Sequence, residues 1–209
     1  MTMRVAGAVL AAGHGSRLVG DTPKPLALLA GRPLVTWALE AVRATELSPV
    51  VLVVGRQGSA IAAAAPASVV IVRASRWHEG IAHSLHAALD AIEPYAQVTA
   101  ACIGLADQPL VGAEAYRRLA AAHAAGAAIA VATYEGVRQN PVLLARELWS
   151  EARSLEGDVG ARGLMDDHDT IEVDCTDTGS AADVDTIDDL HALERMLPRS
   201  TEVDRDADQ

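Results

Sequence analysis

The chain has 209 residues, half of them hydrophobic, and carries 28 Asp and Glu against 17 Lys and Arg for a net charge of −11. That length suits one domain with a full core, while the acidic balance, 3% aromatic content and absence of Phe leave neither a basic face nor stacking rings for a nucleic acid. No apolar run reaches the length of a membrane span, and Met1 to Arg4 lead into a strand without a hydrophobic leader. A cytoplasmic protein with no nucleic acid and no membrane as partner is expected.

Taken in order, strand and helix signals alternate. Val5 to Leu10 reads as an apolar strand that opens into a glycine-containing loop. Gly31-Arg32-Pro33 is a turn that places Pro33 at a first helical position, and Leu34 to Thr45 has apolar residues at helical spacing. Val50 to Val54 is continuously apolar, as a strand buried on both faces should be. Ser59 to Ala65 predicts a short helix, Val69 to Val72 a strand, Gly80 to Ile92 a helix and Val98 to Leu105 a strand. Ala113 to Ala125 then predicts a helix and Ala127 to Thr133 a strand. This alternation predicts an α/β fold with a doubly wound, mainly parallel sheet of Rossmann-like type. Past Gly136 the pattern loosens. Residues 138 to 143 read as irregular, Leu144 to Arg153 as helical, Gly157 to Met165 as a loop entering a short helix, Thr170 to Val173 as a strand and Ile187 to Met196 as a closing helix. One domain is expected over residues 1–197, followed by a disordered acidic and polar tail over 198–209. Cys102 and Cys175 are expected as reduced packing residues.

The chemistry is concentrated after the first strand. Leu10-Ala11-Ala12-Gly13 runs into His14-Gly15-Ser16-Arg17, and Lys24 follows. Gly13 and Gly15 let the backbone approach a ligand and offer its N–H groups to phosphate oxygens. Arg17 supplies a forked cation and Lys24 a mobile point charge. A Walker loop would end in Gly-Lys-Ser/Thr, which is absent. A dinucleotide fingerprint would have glycine where Leu18 stands and an acid near Gly55-Arg56. A purely structural turn explains the two glycines but not the neighbouring cations. Further along, Asp107 follows the apolar strand at the carboxyl end, where open α/β sheets bind ligands, and a carboxylate there suits Mg²⁺, which takes one or two carboxylates plus phosphates and waters. Its structural alternative is a turn residue before Pro109.

The loop L-A-A-G-H-G-S-R with K-P-L behind it resembles the signature of the nucleotidyltransferases related to molybdenum cofactor cytidylyltransferases and guanylyltransferases. Four further segments fall in that family's order: G-I-A-H-S-L at Gly80 to Leu85, A-D-Q-P-L-V at Ala106 to Val111, G-D-V-G-A-R at Gly157 to Arg162 and D-V-D-T at Asp183 to Thr186. The resemblance spans residues 4 to 196 and implies a single domain of the nucleotide-diphospho-sugar transferase type. It implies a Mg²⁺-dependent enzyme that moves a nucleotidyl group from an NTP to a phosphorylated acceptor such as molybdopterin, with a molybdoenzyme to receive the product.

By that resemblance, Leu10, Ala11, Ala12, Gly13, Gly15, Ser16, Arg17, Lys24, Gly80, Ser84 and Asp107 bind the nucleotide, with Arg17 and Lys24 acting on the triphosphate. Asp185, or Asp183 in its stead, joins Asp107 on the metal, although Asp183 to Asp189 also has the composition of a helix cap. Asn140, Asp158 and Arg162 face the acceptor, with an ordinary surface ion pair as the alternative for Arg162. Ala11-Ala12-Gly13 matches cytidylyl- rather than guanylyl-transferring relatives, and the Ala12 methyl takes space a purine would need, so CTP is expected before GTP. The path from Arg17 to Lys24 is longer than the family's, and Asn140-Pro141 stands where relatives have His-Pro. Two other functions share the scaffold: an NAD(P)H-dependent oxidoreductase of the nicotine blue oxidoreductase type, and a non-catalytic nucleotide- or cofactor-binding protein. His83 and His86 share a helical face and are expected in solvent.

Overall fold

A computed structural model of the chain describes residues 4–13 and 22–197. Its elements are β1 (Arg4–Ala11), β2 (Leu28–Leu29), β3 (Arg32–Pro33), α1 (Leu34–Arg43), β4 (Val50–Val54), α2 (Gly58–Ala63), β5 (Val70–Arg73), α3 (Ile81–Ile92), β6 (Val98–Leu105), α4 (Ala113–Ala124), β7 (Ile129–Tyr134), β8 (Val137–Ala145), α5 (Trp149–Ala152), β9 (Thr170–Asp174) and α6 (Ile187–Met196), with short 3-10 turns between some of them. Seven strands form one sheet in the order β5-β4-β1-β6-β8-β7-β9. All its neighbouring pairs are parallel except those made by β8, which runs antiparallel to β6 and to β7. The doubly wound, mainly parallel α/β fold is therefore present.

Both faces of the sheet are covered, and the strand sequences follow from that. On β1, Ala6, Ala8 and Leu10 enter the core beneath α3 and α5, where Leu85, Leu89, Ile92 and Trp149 pack. Val9 and Ala11 enter the opposite core beneath α1, α2 and α4, with Leu39, Ile61, Tyr116 and Leu119. A strand buried on both sides needs no alternation of polar residues, which is why β4 is continuously apolar and β6 is so but for Thr99. Cys102 and Cys175 are both buried free thiols in the second of these cores. Burial pushes the Cys175 thiol up to about 11, which suits a packing role and not a reactive one. A third, smaller cluster joins Val184, Leu190 and Leu193 to Ala27, Leu29 and Leu34. It docks the C-terminal helix α6 onto the β2-β3 hairpin, and Glu194 accepts a hydrogen bond from the Ala30 backbone N–H at 3.2 Å.

Three expectations need correction. Pro33 is not inside α1; it ends β3 and stands just before the helix. Residues 138 to 143 are not irregular but lie within β8, and Leu144 and Ala145 complete that strand before a 3-10 turn and the short α5. Proline inside a run argues against a strand because it removes a ladder donor. Here the sheet absorbs it in a bulge: the adjacent residues Val131 and Ala132 pair with Val142 and Gln139, so Asn140 and Pro141 stand outside the register. A bulge of this kind re-aims a side chain beside a site. The tail expected over 198–209 lies outside the described residues, and among the described residues no helix is long and apolar enough to cross a membrane.

Candidate active site

The site forms where β1 and β6 end. Asp107 stands two residues past β6, in a turn held by the Ala106 N–H donating to the Leu10 carbonyl at 3.0 Å. Its own carbonyl accepts from the Val184 N–H at 2.9 Å, which brings the segment leading into α6 alongside and places Asp185 nearby. Lys24 opens a 3-10 turn, Lys24–Leu26, and its side chain is only 13% exposed. Its ammonium donates to Asp107 Oδ2 at 2.7 Å and to Asp185 Oδ1 at 2.9 Å. Burial opposes the charge on Lys24, but Asp107, by charge and hydrogen bond, and then Asp185 outweigh it and hold its pKa above the ordinary lysine value.

The cap of α6 gives Asp185 its place beside Lys24. Thr186 is the N-cap; its hydroxyl accepts from the Asp189 N–H, and Asp189 Oδ2 accepts from the N–H groups of Thr186 at 2.7 Å and Asp185 at 3.0 Å. This capping box occupies Thr186 and Asp189 and leaves the Asp185 carboxylate for Lys24. The signal was present in the sequence as Thr186-Ile187-Asp188-Asp189, although that spacing alone did not separate the cap from the ion pair.

A cavity of about 430 Å³ reaches the ends of β1 and β6, where Leu10 and Leu105 line it. Its apolar wall comes from Leu10, Ile81, Leu85 and Leu105, and its polar wall includes Asn140, Asp158 and Arg162. The three residues expected on the acceptor side thus meet in one place: Asn140 from the β8 bulge, Asp158 and Arg162 from the loop and 3-10 turn after α5. Gly80 and Gly157 set that loop's position. Gly80 has φ +119°, and a Cβ built on it would collide with the Gly157 carbonyl, whose oxygen accepts from the Ala82 N–H at 3.1 Å. Arg162 donates to Gln139 Oε1 at 3.3 Å, and burial pulls its pKa below the ordinary arginine value. Among the described residues no carboxylate pairs with it, so the surface ion pair considered for Arg162 is not formed. Gln139 was not singled out in the sequence, since a glutamine beside a bulge carries no pattern of its own.

The nucleotide-loop residues divide. Leu10 lines the cavity, and Gly13 is exposed, with nothing among the described residues within 4 Å of a Cβ built on it. Ala11 and Ala12 are packed in the two cores. Ala12 is 2% exposed and its methyl faces Gly55 beside Trp77, so it does not take space from a ligand in the manner expected. Ser84 is 4% exposed on the buried face of α3 and is not among the residues lining the cavity. Gly15, Ser16 and Arg17 lie outside the described residues.

His83 and His86 are not on a solvated face. Their rings meet edge to face with centroids 5.3 Å apart. His83 lies 3.6 Å from Glu79, and His86 Nε2 donates to the Ala152 carbonyl at 3.1 Å, tying α3 to α5. Burial first, and His83 and Arg153 to a smaller degree, hold the His86 pKa below its ordinary value of 6.5 against the Ala152 hydrogen bond and Asp90. As pH falls through 6.5 the unfolded chain takes up a proton that the folded chain refuses, so this site contributes stability above that pH and loses it below. His86→Gln keeps a donor for Ala152 and removes the titration. Its thermal midpoint is expected to fall less than that of the unmodified chain between about pH 7.5 and about pH 5.5; parallel curves would count against this account.

Comparison with known proteins places the geometry in context. The model of the MobA-like NTP transferase domain matches residues 7–171. The bifunctional protein GlmU of Pelobacter propionicus is 35% identical over 150 residues, covering 71% of this chain and 32% of that protein; the chain thus spans about a third of its length. The nicotine blue oxidoreductase of Paenarthrobacter nicotinovorans is 31% identical over 202 residues, covering 90% of this chain and 96% of that one. Among solved structures, Rv0371c of Mycobacterium tuberculosis H37Rv in complex with manganese superposes with a TM-score of 0.75 at 29% identity, covering 93% of this chain and all of that one.

Proposed function

Because the chain belongs to the family of the MobA-like NTP transferase domain, we propose that it transfers a nucleotidyl group, CMP in preference to GMP, from an NTP to a phosphorylated small-molecule acceptor of the molybdopterin class. An acceptor phosphate oxygen attacks the α-phosphorus, the bond to the bridging oxygen breaks, and pyrophosphate leaves with the electron pair. The observation that carries this reading is the convergence of Lys24, Asp107 and Asp185 past the ends of β1 and β6, with Leu10 and Leu105 at those ends lining a cavity on whose wall the exposed Arg162 has no carboxylate partner among the described residues.

Each residue has a task that such a transfer requires. The reaction needs alignment and charge neutralisation more than covalent help from the protein. Arg162, which has no counter-ion among the described residues, suits an anionic acceptor group, and Asn140 adds a polar contact from the bulge. Lys24 and Arg17 act on the triphosphate. Asp107 and Asp185 fit a divalent ion: two carboxylate oxygens that share one ammonium are near enough to share one cation. No group of three or more potential ligands exists among the described residues, in keeping with Mg²⁺, which completes its shell with phosphates and water. When bound, Mg²⁺ would neutralise charge developing on the phosphate oxygens. The manganese complex of Rv0371c supports a divalent ion here. The preference for CTP rests on the Ala11-Ala12-Gly13 pattern, since the Ala12 methyl is packed away. A molybdoenzyme would be the recipient of the product.

A second reading is favoured by the nicotine blue oxidoreductase likeness, which runs over nearly the full length of both chains. It would make this an NAD(P)H-dependent oxidoreductase. Against it, β4 ends at Val54 and is followed by Gly55 and the exposed Arg56, so the acid that would hold a nicotinamide dinucleotide's ribose is absent. A non-catalytic binding protein would have no need of both aspartates on one cation. The readings separate in two assays: pyrophosphate release from each of the four NTPs with Mg²⁺ and a molybdopterin acceptor, and NAD(P)H oxidation with quinone-like dyes. Release fastest from CTP, with no NAD(P)H oxidation, is expected. Dye-dependent NAD(P)H oxidation without pyrophosphate release would replace this reading with the second.

A further inference from the structure

Two carboxylates drawn together repel each other unless a cation lies between them, and the Lys24 ammonium lies there, 2.7 Å from Asp107 Oδ2 and 2.9 Å from Asp185 Oδ1. The backbone of Lys24 is fixed: its carbonyl accepts from the Ala27 N–H at 3.0 Å, and Pro23 and buried Pro25 flank it. Its four-carbon stem is the part free to swing. We propose that the Lys24 ammonium holds the place of the divalent ion, keeping Asp107 and Asp185 paired in the nucleotide-free protein, and leaves them for the triphosphate when nucleotide and metal arrive together.

The inference rests on the reading of Asp107 and Asp185 as metal ligands. An ammonium and a divalent ion cannot occupy the same place between two carboxylates. Metal alone therefore competes with Lys24, and its apparent affinity falls in proportion to the fraction of molecules in which the ammonium is in place. A triphosphate offers the same three donors new acceptors, so Lys24 releases the carboxylates at smaller cost. Metal and nucleotide thereby reinforce each other's binding, and by linkage the effect is the same in both directions. Lys24 would thus act on the metal half of the site before it acts on the phosphates.

The test measures Mn²⁺ binding by the loss of the free-ion paramagnetic resonance signal, without nucleotide and with CTP. Without nucleotide, Lys24→Met is expected to bind Mn²⁺ at least about tenfold more tightly than the unmodified chain, with the advantage shrinking or reversing when CTP is present. Equal or weaker binding by Lys24→Met would overturn the exchange. In the unmodified chain, saturating Mn²⁺ is expected to speed acylation of Lys24 by an amine-reactive reagent, read by mass spectrometry. This arm needs no folded variant and separates displacement from a simple loss of charge, and an unchanged labelling rate would likewise overturn the proposal. Asp107→Asn and Asp185→Asn distinguish the two levels. Mn²⁺ binding that persists in both would fell the metal reading itself, whereas binding that needs both carboxylates yet ignores Lys24→Met would overturn the exchange alone.

Discussion

Asp107→Asn is expected to lower the rate of pyrophosphate release by about 10²–10³-fold, the scale of losing one preorganised charge at a transition state, while leaving the fold in place. The backbone contact that seats the α6 segment, from Val184 N–H to the Asp107 carbonyl, does not involve the side chain. Lys24 also keeps Asp185, so the loss of stability should be about 1–2 kcal/mol. Steady-state kinetics and a thermal melt read the two effects separately. Asp183→Asn is the matched control: Asp183 is exposed, and the Lys24 ammonium goes to Asp185, so its rate should stay near that of the unmodified chain. A rate unaffected by Asp107→Asn would remove Asp107 from the chemistry and with it the metal assignment.

The second large effect is expected at Gly80. Gly80→Ala puts a methyl into the carbonyl of Gly157 at a residue with φ +119°. Backbone on both sides leaves no flexible side chain to give way. The left-handed conformation costs about 1–2 kcal/mol and the collision about 1–3 kcal/mol more. The Gly157 loop carries Asp158 and, a turn later, Arg162, so relief of the clash moves the polar wall of the cavity, and acceptor KM should rise more than nucleotide KM. Gly126→Ala isolates the two terms, because Gly126 has φ +109° but nothing within 4 Å of the added methyl. If the two variants lose equal stability and Gly80→Ala keeps its acceptor KM, the close approach has no functional weight.

Much of this was legible in the residues. The apolar run of β4 matched its strand end to end, and β6 is apolar but for Thr99 near its start, since strands buried on both faces have few polar interruptions. Asp107 pointed to chemistry by its place after an apolar strand, and the family resemblance offered Asn140, Asp158 and Arg162, which do line one cavity. What could not be read was anything set by tertiary pairing. Pro141 disguised β8, because only the flanking strands show that a bulge can house it. The polar residues at positions 83 and 86 looked solvated until α5 covered their helix face. Ser84 and Ala12 carried the right chemical types but point into packing, and no local pattern distinguishes a serine that waits for a ligand from one that fills a core.

The docking of α6 has a consequence for when the site exists. Lys24 and Asp185 are 161 positions apart in the chain, and the MobA-like match ends at residue 171, before the aspartate. Asp107 directly follows β6 of the buried sheet and Lys24 stands in the turn before β2, whereas Asp185 arrives on a segment tied down by the small Val184, Leu190 and Leu193 cluster. Elements attached through few buried contacts open at lower free energy than the core. Detachment of this last helix would strip one carboxylate from the cluster while the rest of the molecule stayed folded, so heat or a C-terminal fusion would silence the enzyme well before it melted.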